Sequence, residues 1–504
     1  MKIAQLIICS LVSIGAFAQT FRGNLAGLVT DTSEAAMSSA NISLESPLNG
    51  LKRVTLSSDT GGFLFAELPV GIYTLTVSLK GFETRKIENV EVAVSKTTSL
   101  AVQLGVAHQQ EIVIVSASQV ALETKSSDLA VVVDTRTVND LPINGRDFRE
   151  LFKMAPGVQA ANNPGNISVN GTRTNFINYQ VDGVDNNDAS GNNIGLNQGG
   201  VGNAIPAVYV PIESIDQLSV QSNAESDMGR NGGASVNTVI RSGTNALHGS
   251  VYEYNRNEAL ASRSPLLSPG TPKQVIRNNQ FGFSVGGPII ENNTFFFVNG
   301  EAQRATAALS VLDTSPSAAW VTLATNLLQK DGVAVNPVSM NLLSFYPAIS
   351  RTGPATTNNY LSEAQNQFKS YNAVVKVDHR FTDKHTIFAR YVGGYGWQTA
   401  PSGSNFQDFF QTVPAHIHNF GVVENDVWSA QLVNQITVGV NYFRMAFDDF
   451  KTGFYPLAAG LNTGVTDPRV TAGSPRITIS GFDSIGASNG GPLTAYRSHR
   501  TLDG

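Results

Sequence analysis

An absence and a pattern together constrain this chain most. Past the first eighteen residues there is no run of about 18 apolar residues, so a membrane-crossing helix is excluded on length. From about Ala246, however, HGSVYEYNRN, NQFGFSVGGPI, NTFFFVNGEAQR, KSYNAVVKVDHR, HTIFARYVGGY, HNFGVVENDVW and QITVGVNYFRMAF each run for about ten residues, the length of a tilted spanning strand. In KSYNAVVKVDHR, Tyr371, Ala373, Val375 and Val377 fall on one face, and Asn372, Lys376 and Asp378 on the other. That is apolar outside and polar inside. In lipid, every backbone N–H and C=O must find its partner within the protein, so a strand-built membrane protein has to be a closed barrel. The choice is therefore a barrel or a secreted β-rich protein. The long polar connection from Ala305 to Gln367 and the short turn Phe381-Thr382-Asp383-Lys384 fit the contrast between extracellular loops and periplasmic turns.

Charged residues are 14% of the 504, below the roughly 25% of soluble domains. The net charge of -5 is spread along the chain, which gives no electrostatic footprint for nucleic acid. Lys2 is a minimal positive start, Ile3 to Phe17 is apolar, and Ala16-Phe17-Ala18 fits small-residue cleavage, so residues 1–18 read as a secretory signal peptide. The one cysteine, Cys9, lies inside it behind the bulky Ile8, which disfavours a lipoprotein signal. Cleavage after Ala18 leaves a mature chain without thiols or disulfides.

Residues 19–105 form a first unit. GNLAGLVTD, ANISLES, LKRVTLSSD, GGFLFAELPVGIYTLTVSLKGF and VEVAVSKTTSLAVQLG alternate and are broken by turn residues, which predicts a small β-sandwich. GLVTD, TGGFLFAELPVGIYTLTV and GF resemble the carboxypeptidase regulatory-like domain, whose fold is grouped with prealbumin-type and carbohydrate-binding modules. The resemblance implies fold more than activity. Sugar binding by this unit stays open, although Tyr73, at a strand centre beside Leu75 and Val77, reads as core rather than as a sugar platform.

Residues 106–120 read as a linker. Within it, Glu111, Ile112, Val113, Ile114, Val115, Ser116 and Ala117 could either be a last strand of the sandwich or add as a strand to a partner's sheet edge. Their place just before the next unit favours partner addition, and the segment looks like a TonB box.

Residues 121–243 resemble the plug of TonB-dependent receptors. Leu141, Pro142, Ile143, Asn144, Gly145 and Arg146 set a turn before a short helical stretch, DFRELFKMA, stopped by Pro156-Gly157. The turn is similar to the signature of Oar-like receptors. Asp182, Gly183, Val184 and Asp185 match the family's DGV element, and GGASVNTVIRSGTN leads into the first membrane strand. Where many plugs carry Arg-Gly-Pro, this chain has Gln221-Ser222-Asn223, so the resemblance offers Arg230 or Arg241 as the plug-to-barrel ion-pairing residue. Asp182, Asp185 and Asp188 lack the spacing of a calcium loop, so a solvated turn is expected there rather than a metal.

Residues 244–504 read as the N-terminal part of an outer-membrane barrel. Receptors of this type need about 22 strands, whereas about seven or eight are found, so a truncated, incomplete barrel is expected. Gly282-Phe283-Ser284-Val285-Gly286 satisfies G-x-S-x-G, but a second strand rather than a helix follows it. His416 and His418 share a strand face without a third ligand and read as a polar rim. No nucleotide-binding loop is present. The fold expected is mainly β: a sandwich, a mixed α+β plug, and an incomplete transmembrane antiparallel barrel in a Gram-negative outer membrane.

The resemblance implies a transporter without catalytic residues, metal or cofactor. Its partners would be TonB, outer-membrane lipid and an unidentified substrate, with oligosaccharide and peptide both open. A secreted or surface-attached adhesin or carbohydrate-binding protein is the alternative.

Overall fold

The computed structural model describes residues 22–106, 112–116, 130–141, 143–160, 167–173, 176–188, 194, 196, 208–222, 233–263, 265, 273, 275–308, 311–351, 357–363, 365–401, 404–429, 432–449, 460–462, 464, 475–486 and 495–503. The signal segment, Glu111, Ala117, Pro142 and Arg230 lie outside them.

The first unit contains β1 (Gly23–Asp31), β2 (Asn41–Glu45), β3 (Lys52–Leu56), β4 (Gly62–Leu68), β5 (Gly71–Ser78), β6 (Thr84–Val92), β7 (Thr97–Leu104) and β8 (Ile112–Ser116). They form two sheets, ordered β4-β1-β7 and β3-β2-β5-β6-β8. Period-two alternation builds the core. In β5, Tyr73, Leu75 and Val77 point inward while Thr74 and Thr76 do not, and Leu25, Ile42, Phe65, Val90 and Val102 meet them. Tyr73 is buried and donates its hydroxyl to Pro69 O at 2.7 Å, as core placement requires of a phenol. Burial also pushes that phenol's pKa above its ordinary value. Gly61, at φ +75°, closes the turn into β4, with its N–H donating to Ser58 O at 2.8 Å.

The second unit holds β9 (Ala130–Val133), α1 (Thr135–Asp140), α2 (Arg149–Phe152), β10 (Val158–Ala160), β11 (Ile167–Val169), β12 (Ile177–Val181), β13 (Val184–Asp185), β14 (Ile215–Gln221) and β15 (Ala234–Ile240). Five of these strands form a mixed sheet ordered β13-β12-β15-β14-β9, in which β12 and β15 are parallel. Asp134 caps α1 by accepting from Thr137 N at 2.7 Å. The helix expected over DFRELFKMA shrinks to the four residues of α2. β12 and β15 are buried along their whole length, polar residues included, because the wall of the third unit surrounds this sheet.

That wall comprises β16 (His248–Asn257), β17 (Val275–Ile290), β18 (Thr294–Ala308), β19 (Val311–Asp313), α3 (Ala318–Lys330), α4 (Pro337–Leu343), β20 (Tyr360–Ser362), β21 (Gln365–Arg380), β22 (His385–Ala400), β23 (Gln411–Val427), β24 (Val433–Asp449) and β25 (Ala495–Asp503). Eight of them form one antiparallel sheet in the order β16-β17-β18-β21-β22-β23-β24-β25. The wall strands β17, β18, β21, β22, β23 and β24 run 15 to 17 residues, longer than the ten that bilayer thickness alone suggests. They continue past the lipid as paired ribbons.

Tyr371, Val375 and Val377 are exposed on the outer face, while Asn372 and Lys376 are buried inside, as the alternation requires. His416 and His418 are on the outward-facing side of β23, not at a polar rim. His418 stacks between Tyr391 and Tyr442, at ring separations of 6.0 and 5.8 Å. Residues 282–286 lie within β17, where Ser284 bonds Ser250 at 2.8 Å, so no nucleophile elbow forms there. The connection after β18 starts later than expected and is structured. β19 pairs with β20, and Tyr346, Phe406, Phe409 and Ile485 gather into an aromatic cluster.

Leu75→Ala removes a fully buried side chain between β2 and β6. It should cost about 2–5 kcal/mol, read as lost hydrogen-exchange protection confined to β2, β5 and β6.

Candidate functional site

β12 and β13 are joined by Asp182 and Gly183, both at positive φ (+46° and +77°), the tight turn that an Asp-Gly pair favours. The turn drives Asp182 and Val184 into the wall. Asp182 Oδ1 accepts from Ile240 N at 3.0 Å and lies 3.5 Å from Lys376 Nζ, while Oδ2 lies 3.5 Å from Arg390 Nε. Lys376 also donates to Ile240 O at 2.8 Å. Arg390 donates to Asn419 Oδ1 at 2.6 Å and to Val181 O. The side chains of all three charged residues are at most 4% exposed. Beside them Val184 sits where Gly421 and Gly439 leave room. A Cβ on Gly439 would lie 2.3 Å from a Val184 methyl. Asn419 donates to Asp185 O at 2.7 Å, and Asn441 to Asn187 O at 3.2 Å.

The solvated turn expected around Asp182, Asp185 and Asp188 is thus corrected. Asp182, Asn186, Asn187 and Asp188 are buried at the junction of sheet and wall, where cations and amides of the lumen take the place of water. The charged plug-to-wall contact runs through Asp182, with the cations on the wall. Arg241 donates to Ile215 O at 3.1 Å inside the plug, and Arg230 is outside the described residues.

The turn at Ile143 to Arg146 makes a second anchor. Gly145 (φ +69°) and Arg146 (φ +53°) are left-handed, which aims the guanidinium at Glu213 Oε1, 2.8 Å away, and over the Tyr254 ring at 3.7 Å. Gln280 of β17 donates to Gly145 O at 3.2 Å. A third anchor is Glu301 of β18, which accepts from Tyr209 at 2.6 Å and from Tyr252 at 2.9 Å. Burial, with Glu301 beside it, pushes the Tyr209 phenol well above its ordinary pKa, so it stays a donor. Sequence reasoning placed Lys376 on the lumen face but missed its partner. The signal for Arg390 was the same: a charge at an inward position of an alternating strand.

Ile112–Ser116 forms β8, the terminal strand of the larger sandwich sheet, parallel to β6 with Ile114 opposite Lys86. Of the two readings of this segment, this is the pairing that the sandwich-strand reading anticipates.

Residues 239–503 match the family model described as an outer membrane beta barrel domain, and residues 24–105 that of the carboxypeptidase regulatory-like domain. The chain belongs to the outer membrane beta barrel family. Its location is therefore the outer membrane of a Gram-negative cell, with the short turns of the barrel facing the periplasm.

The chain is also 25% identical over 302 residues to the TonB-dependent transporter Oar of Myxococcus xanthus, across 57% of this chain and 27% of that protein. Among solved structures, the outer membrane transporter YddB from Escherichia coli aligns with a TM-score of 0.45 at 12% identity, over 74% of this chain and 44% of its own. The siderophore receptor PirA from Acinetobacter baumannii aligns at 0.36 and 15%, over 64% and 45%. The chain thus spans about a quarter of the length of the curated relative and under half of these structures.

Two outcomes test the junction, and a third tests the outer loops. Asp182→Ala leaves Lys376 and Arg390 buried without their anion and should cost about 3–5 kcal/mol, read as the urea concentration at which the plug becomes protease-sensitive. Gly439→Leu should drive Val184 from its seat at about 1–3 kcal/mol, with partial recovery in the Val184→Ala background by the same assay.

The third concerns the outer loops. Asp313 accepts from Asn405 at 2.9 Å, and burial, reinforced by Asp483, raises its pKa to about 6. The folded loops hold a proton that the unfolded chain has lost, so their stability is full below the ordinary carboxylate range and declines as pH rises through about 6. Hydrogen exchange in residues 311–313 and 477–485 should follow that profile, and Asp313→Asn should flatten it.

Proposed function

We propose that this barrel and its plug take up a substrate across the outer membrane with energy transmitted by TonB. The observation that carries the reading is the plug sheet held within the barrel by the buried Asp182, Lys376 and Arg390 cluster, next to the resemblance to a TonB-dependent transporter. Residues 1–18 would be removed as the signal peptide. The sandwich would span 19–105, the TonB-binding linker 106–120, the plug 121–243 and the barrel from 244 onward. The substrate binds outside, to plug apices and loops, and is moved rather than chemically changed. Its identity stays open between classes such as oligosaccharide and peptide.

In this reading the partner strand pairs with Glu111 to Ala117. The order of the plug sheet gives the pull a direction. β9, the strand that follows this segment, is one edge of the sheet, and β13, next to the Asp182 turn, is the other. A pull therefore meets the β9–β14 ladder first, which is four residue pairs long, while the ion cluster holds the far edge against the wall. Opening on the β9 side with the Asp182 side retained is the expected first step. The adhesin alternative leaves a plug bolted inside a barrel without a role.

Proline at 114 removes a backbone donor and fixes φ. Ile114→Pro should abolish capture of the receptor by the isolated periplasmic domain of TonB, whereas Ile114→Val should retain it. Undiminished capture by an Ile114→Pro protein whose barrel is still heat-modifiable would sink the TonB-box assignment.

A further inference from the structure

The sandwich lies across the periplasmic end of the wall. Its segment from Ser46 to Arg53 reaches the segment before β16 and the end of β21 with the turn that follows: Asn245 N donates to Leu48 O at 2.9 Å, Arg380 to Asn49 O at 3.2 Å, and Arg53 to Asp383 O at 2.9 Å. Gly50, at φ +67°, fits against Asn292 so closely that a Cβ would lie 2.2 Å from its amide oxygen. On the other side Arg22 donates to Thr386 at 3.2 Å, and Val94 N donates to Gln217 Oε1 of the plug at 2.9 Å.

These contacts border a partly open cavity of about 610 Å³ whose lining comes from all three units, including Arg22 and Leu51 of the sandwich, Asp216 of the plug with Ser242 just after it, and Phe295 and Lys376 of the wall. Lys376 is a member of the Asp182 cluster, so the cavity begins where the plug's anchoring ends.

We propose that the β-sandwich is a releasable lid over the periplasmic exit beside the plug. Anything passing the plug on this side arrives in the cavity, and a shift of the sandwich widens its way out. The chemistry of the contact suits release. It consists mainly of single hydrogen bonds aimed at main-chain atoms, each worth about 1 kcal/mol because water replaces it on opening. The sandwich keeps its own closed core, so it can move as a folded body. This proposal does not depend on TonB, and a failed capture by TonB would leave it standing.

The test uses the whole chain in isolated outer membranes. Ser242→Cys places a thiol on the cavity wall, and its reaction with a bulky polyethylene-glycol maleimide reports access. Arg380→Ala with Gln217→Ala removes two bonds to the sandwich main chain without altering the sandwich itself. It should accelerate labelling roughly tenfold or more, with the heat-modifiable barrel unchanged. Equal rates in the two backgrounds would overturn the lid. In the converse arm, Leu48→Cys with Asn245→Cys joins residues whose main chains already meet, within disulfide reach. The oxidised pair should suppress hydrogen exchange at residues 241–244, and a reductant should restore it. A pair that fails to oxidise, or that oxidises without changing exchange, would also count against the proposal.

Discussion

The structure depends on one buried carboxylate. Asp182 stands between Lys376 and Arg390 with its neighbours' amides around it, in a place where any of the three charges alone would be expensive. Coulomb attraction offsets part of the lost hydration, helped by hydrogen bonds to Ile240, Asn419 and the Val181 carbonyl, while Asp182 Oδ2 and Arg390 Nε face each other at 3.5 Å without a hydrogen bond. The cost of separating the group is therefore much greater than its net contribution to folding. Such an arrangement specifies one seating of the plug sheet against one set of wall strands.

Packing repeats the same specification. Gly421 and Gly439 occupy inward positions on adjacent strands, and Val184 fills the space they leave. A side chain at either glycine would push the Asp182 turn away from its cations, so apolar fit and charge pairing reinforce each other. The other anchors, Arg146 on Glu213 and Tyr254, and Tyr209 with Tyr252 on Glu301, are placed around the sheet at different wall strands. Together they explain why a plug sheet can be buried on both faces while carrying Ser235 and Asn237. Its surroundings are a lumen that mixes polar groups with apolar ones such as Phe297, Val374 and Phe443.

Alternation made the wall legible. Tyr371, Val375 and Val377 against Asn372 and Lys376 could be assigned to faces from residue order alone, since successive side chains of a strand must point opposite ways. The sandwich was legible for the same reason, and Tyr73 was placed in its core by its neighbours. The failures are equally instructive. The Asp182 turn read as solvated because acidic and amide residues in a row usually are, and nothing local announces that two cations 194 and 208 positions later will meet it. His418 read as rim because a lone histidine gives no sign of the tyrosines beside it on neighbouring strands.

Strand periodicity, turn residues and the absence of an apolar helix are local properties, so the sequence by itself determined a β-sandwich, a turn-rich plug region and a set of spanning strands with known inner and outer faces. Ion pairing across the lumen, the seat of Val184 on two glycines and the sandwich lying over the periplasmic turns are relations between residues far apart in the chain. They depend on strand order and register, which fix distances of a few ångströms between segments that have no local information about each other. Only the tertiary structure decided them.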